Sequence, residues 1–311
     1  PSCCARRCGS ARTAQALALR FVVGVSLAGI YPIGMKLILG WTKGAGALTL
    51  SLLVGTLTLG TALPHAIRAL GAQWPWQSVV AASSLLCVVG GALVLAFGDG
   101  PHVQRNATAA QGARLGAGLR AFESAAFRRA AFGYFGHMWE LYAFWTLAPL
   151  IVATLLPEWT HGSQRETSLL AFVVVGIGSI GCVLGGVASM RWGSVRVAVC
   201  ALALSGLMCA VVPLSAGWPA GVRVALLLVW GLAVVADSPQ FSNLSRAACP
   251  PALVGSALSI QNSIGFAITT VSIWVGTRLF EGAGLQVAWV LLAGPVLGLA
   301  AMRSSAPRKH R

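Results

Sequence analysis

The stretch AFVVVGIGSIGCVLGGVASM, Ala171 to Met190, runs for 20 residues without one charged side chain and is followed at once by RWGSVR. At 1.5 Å per residue an α-helix of this length spans about 30 Å, the thickness of a bilayer's hydrocarbon core. Its glycines also spell G-x-G-x-x-G at Gly176, Gly178 and Gly181. No strand precedes them and no polar helix follows, so the nucleotide-binding reading of that pattern fails and close helix packing is the better account.

Working outward, eight more apolar runs of similar length appear. The nine spans cover approximately 16–41, 45–67, 76–98, 130–156, 167–190, 195–216, 220–245, 252–279 and 284–302. Across the 311 residues 57% are apolar and 9% charged, with a mean hydropathy of +0.78. A water-facing surface needs about 25–35% charged residues, so this composition excludes a soluble globule, and its apolarity excludes a disordered chain. The fold class expected is an all-α polytopic membrane protein, because helices satisfy their own backbone hydrogen bonds in lipid.

The net charge of +15 is a matter of topology. Alternate connections carry thirteen Lys and Arg on one side, including Arg105, Arg114 and Arg120, and four on the other, Arg68, Arg165, Arg223 and Arg278. By the positive-inside rule the linker at 99–129 and the C-terminus are cytoplasmic, in what is read as a plasma (inner) membrane. This leaves no basic face on a soluble domain and no nucleic-acid partner. The sequon Asn106-Ala-Thr108 then lies on a cytoplasmic loop and is silent. Of eight cysteines none has zinc-site pairing, and Cys87, Cys182, Cys200 and Cys209 read as buried free thiols acting as small apolar side chains, so neither a metal nor a cofactor is expected.

Four regions follow: 1–98 with three helices, a linker over 99–129 holding an amphipathic helix near Leu119 to Arg129, a six-helix half over 130–303, and a basic tail over 304–311. Nine crossings place the N-terminus outside, yet it carries Arg6, Arg7 and Arg12. The spacing Gly24 to Pro32 in the first span recurs as Gly231 to Pro239 in the seventh. That alignment pairs spans one to three with seven to nine, so the expectation is that the first half lacks its initial three helices.

Here the residues resemble the major facilitator superfamily. The stretch RFVVGVSLAGIYPIGMKLILGW, Arg20 to Trp41, is similar to that family's fourth-helix motif through Arg20, Gly24, Gly29 and Pro32. The segment GVASMRWGSVR is similar to its cytoplasmic loop motif through Gly186, Arg191, Gly193 and Arg196, with Met190 standing where the motif has Asp. The resemblance implies two six-helix halves that rock about a midplane site, moving a small solute, and it favours a coupling role for Arg20.

Ionisable residues inside spans are costly and mark pathways. His137 and Glu140, three residues apart in GYFGHMWELYAFWTLAPLIVA, share a helix face with Gly133 and Phe144, and could exchange a proton in a central cavity. Their alternative is a hydrated position near the cytoplasmic end. Asp237 precedes Pro239 and shares a face with Trp230, Gln240 and Phe241; its alternative is structural pairing between helices. Arg20 and Tyr31 lie along one side of the first span, where Arg20 either binds a charge or snorkels to headgroups. Trp145 and Asn262 complete the candidate substrate and proton pathway. The reading is a proton-coupled transporter of a small solute and not an enzyme. An inactive fragment or assembly partner, a membrane-embedded enzyme and a channel are the rivals.

Overall fold

A computed structural model describes residues 15–24, 26, 30, 34–35, 37–42, 46–71, 74–102, 117–250 and 253–303. The described residues are overwhelmingly helical: α1 (Gln15–Gly24), α2 (Gly46–Leu70), α3 (Trp76–Phe97), α4 (Ala125–Leu155), the single turn α5 (Pro157–Thr160), α6 (Gln164–Trp192), α7 (Ser194–Val211), α8 (Ala220–Ala236), α9 (Ser238–Ala247), α10 (Val254–Ala283), α11 (Val287–Leu291) and α12 (Ala293–Arg303). Among the described residues seven segments are long and apolar enough to cross a membrane, with α8 and α9 forming one of them.

The last of these seven runs 50 residues, Val254–Arg303. A straight helix of that length would reach about 75 Å, more than twice the hydrocarbon thickness. The chain instead reverses at Gly284, whose φ of 54° is open to glycine because it has no Cβ. Packing on α4 shows the reversal: Gly265 lies against Tyr134 and Gly276 against Leu147, whereas Gly294 lies against Gly136 and Gly298 against the Gly133 carbonyl. α10 therefore runs parallel to α4 and α12 antiparallel to it. The first expected span, 16–41, falls partly outside the described residues, so the described helices do not fix the number nine.

α4 is the central pillar, buried along much of its length against α6, α8, α9, α10 and α12. It begins at Ala125, with the Ser124 hydroxyl accepting from the Phe127 N–H at 3.4 Å, earlier than the expected boundary at 130. A 3₁₀ turn, Ala117–Glu123, precedes it where an amphipathic helix was expected. At the other end Arg223 donates to the last-turn carbonyl of Leu155 and pairs with Glu158, satisfying a helix C-terminus.

Small residues set the closest approaches. A Cβ at Gly186 would lie 2.6 Å from Ser51 of α2, and one at Gly178 would lie 2.8 Å from the Gly231 carbonyl of α8. Gly178 and Gly181 of the G-x-G-x-x-G pattern thus let α6 press against α8, and Gly186 lets it press against α2. α3 differs from these: none of its residues is buried, and it touches the rest mainly through α2.

Candidate functional site

Two polar constellations grow from one face of α4, and they part at residues the sequence had placed together. His137 and Glu140 are both 1% exposed, but they look to different helices. Glu140 accepts three hydrogen bonds: from Ser205 Oγ at 2.8 Å, Cys209 Sγ at 3.2 Å and Trp230 Nε1 at 2.7 Å. Both carboxylate oxygens are therefore satisfied by donors from α7 and α8.

His137 pairs with Asp237 instead, Nδ1 lying 2.8 Å from Oδ1, with Asp237 also 1% exposed. This pair is incompletely met. His137 Nε2 and Asp237 Oδ2 are buried without a hydrogen-bond partner among the described residues. Buried polar atoms are normally partnered, and an orphan costs about 1–3 kcal/mol.

The chain geometry at Asp237 follows from Pro239. Proline has no N–H and frees the carbonyl four residues back. That carbonyl belongs to Val235, and the Cys182 thiol of α6 donates to it at 3.5 Å. The helix breaks here into α8 and α9, with Asp237 as the joint.

Beside the pair lies a cavity of about 360 Å³, walled by Ile30 and Gly34, by Leu53, Val54, Leu57 and Thr61 of α2, by α4, and by Val235, Ser238 and Phe266. Tyr134 and Met138 flank His137 in sequence and line this cavity, as Val235 and Ser238 do around Asp237. The His137–Asp237 pair thus sits directly behind the wall. Tyr142 stands edge-on to Trp145 and to Phe266, at ring distances of 5.0 and 5.6 Å, giving the cavity an aromatic side.

Among the other expected residues, Trp145 lines the cavity. Gln240 is fully buried and donates to Ser51 Oγ at 3.4 Å, joining α9 to α2. Asn262 is buried on α10 but is not among the residues lining the cavity. Arg20 is exposed on α1, and Tyr31 lies outside the described residues. In the loop motif Gly186 packs on Ser51 and Gly193 makes the turn into α7 with a φ of 80°, while Arg191 and Arg196 are exposed.

The thiols correct the sequence reading. Cys182 and Cys209 are buried and hydrogen-bonded, whereas Cys87 and Cys200 are exposed. Ser205, Cys209 and Ser51 were missed as polar partners. The only signal was the four-residue spacing of Ser205 and Cys209, which puts both on one face of the apolar stretch that follows Arg196 in α7.

Comparison with curated proteins returns no match. The family model of the Major Facilitator Superfamily matches residues 4–268, well over half of the chain. On that match, together with its apolar spanning helices, this integral membrane protein belongs to the major facilitator superfamily, a family of membrane transporters.

Proposed function

We propose that the protein is a secondary active transporter which carries a small solute through the cavity between α2 and α4 by alternating access, coupled to protons held on His137 and Asp237. The observation that carries this reading is the incompletely partnered His137–Asp237 pair behind the cavity wall. A buried carboxylate–imidazole pair holds a proton with its charge balanced, and each free atom is a place for the proton to arrive or leave.

Asp237 also sits at the α8–α9 joint, so a change of charge there acts on a point where the helix can bend. Among the described residues, Glu140 of α4 and the Cys182 thiol of α6 are ionisable groups near Asp237. Tyr134 of α4 stands 6.1 Å from the His137 ring, centre to centre. Glu140 belongs to the frame in this reading, because its oxygens are already committed. The linker and C-terminus face the cytoplasm of a plasma membrane, from the asymmetry of Lys and Arg.

Proton movement is the direct test. Proteoliposomes carrying a trapped pH dye, with candidate solutes added outside, should show solute-evoked proton flux for the wild type. Asp237→Asn and His137→Ala should each lower it at least about tenfold with insertion unchanged. Wild-type flux from both variants would overturn the assignment.

A further inference from the structure

We infer that the solute bound in this cavity is a neutral, largely apolar molecule with a flat ring and one hydrogen-bond acceptor. The inference rests on the transporter reading for its biology and on the cavity wall for its chemistry.

The wall carries no charged side chain among the described residues. His137 and Asp237, on the helix segments that form part of the wall, are turned to each other. A charged solute entering this space would lose its hydration without meeting an opposite charge, which is strongly unfavourable. Sugars fit poorly for a related reason. Their many hydroxyls need several partners, whereas the described wall is dominated by aliphatic and aromatic groups with Thr61 and Ser238 as its short polar side chains.

What the wall offers is ring surface. Tyr134, Tyr142, Trp145 and Phe266 present aromatic groups, three of them already in edge-to-ring contact, an arrangement that accepts a further flat ring by stacking or edge contact. One orphan donor among the described wall residues is the Trp145 indole. Trp145 lines the cavity and is 6% exposed, and its Nε1 is buried without a hydrogen-bond partner among the described residues, so an acceptor brought against the ring meets an unsatisfied N–H. Indole N–H donates only, so its complement is a carbonyl, ether or similar acceptor on the solute. A volume of about 360 Å³ lies at the small end of ligand pockets, which selects a compact molecule.

Thermal unfolding of the full chain in nanodiscs tests this with defined probes: coumarin (neutral ring with a carbonyl), naphthalene (ring without an acceptor), benzoate, tetraethylammonium and glucose. Coumarin should raise the midpoint in a saturable manner, naphthalene less, and the other three not at all. Trp145→Phe keeps a ring and removes the donor; it should weaken coumarin binding about three- to tenfold and remove its advantage over naphthalene. Phe266→Ala removes one ring of the wall and its edge contact with Tyr142, and should weaken both ring probes when each shift is read against the variant's own unliganded midpoint.

A shift from benzoate, tetraethylammonium or glucose without one from coumarin would overturn the inference and leave the transporter reading standing. A coumarin shift unchanged in both variants, or no shift from any probe, would overturn it too. The transporter reading falls separately, through the proton-flux measurement on Asp237→Asn and His137→Ala.

Discussion

Glu140 and His137 stand one helical turn apart on α4, equally buried, and the structure treats them oppositely. Every oxygen of Glu140 has a donor, supplied by two other helices, whereas His137 and its partner Asp237 retain buried atoms with nothing to bond. A fully met carboxylate fixes α4 against α7 and α8, since moving any of the three helices breaks a hydrogen bond. A half-met pair has lower stakes in one geometry and can exchange a proton or a partner as its helices shift. The same residue chemistry thus gives a strut in one place and a candidate switch in the next.

The sharpest way to break this contrast is Glu140→Ala. It strands the donors of Trp230 and Cys209, leaves the Ser205 hydroxyl only the Leu202 carbonyl at 3.3 Å, and opens a void, so the loss of stability should be at least about 2 kcal/mol at about 1 kcal/mol or more per orphan. Thermal unfolding in detergent measures it. Glu140→Gln should recover most of that stability, because an amide can still accept from Trp230 and donate to the Ser205 hydroxyl. Asp237→Asn should show the opposite signature: proton flux lost, and an unfolding midpoint much closer to wild type than that of Glu140→Ala. Equal destabilisation by both would mean that the two constellations are both struts.

Smaller effects refine the picture. Ser205→Ala removes one of three donors and should cost about 1 kcal/mol, leaving proton flux in place. Cys182→Ala removes the thiol from the carbonyl freed by Pro239. Its stability cost should be below about 1 kcal/mol, as a thiol is a weak donor, but it touches the α8–α9 joint beside Asp237 and should therefore alter flux more than Ser205→Ala does. The reverse order of flux effects would place the moving element at α7.

Much of the frame could be read from hydropathy alone. The uncharged run from Ala171 to Met190 falls wholly inside α6, and Gly178 and Gly181 serve close packing. Asp237 stands two residues before Pro239, and α8 and α9 meet there. What failed was partner choice. Periodicity placed His137 and Glu140 on one face of α4, but an i, i+3 offset still leaves about 60° between two side chains, enough to send them to different neighbours. Cys209 read as a small apolar residue because sequence carries no information about a carboxylate 69 positions away.

The sequence by itself determined that this chain lies in a membrane, roughly where it crosses, and which residues are too costly to bury without purpose. Those are local properties, governed by helix rise and by the transfer of side chains from water to hydrocarbon. Tertiary structure alone decided that Glu140 is met by Ser205, Cys209 and Trp230 while Asp237 is met only in part by His137. Hydrogen bonds between helices depend on rotation and crossing, which small residues such as Gly178 and Gly181 set by letting backbones touch, and no run of apolar letters encodes that arrangement.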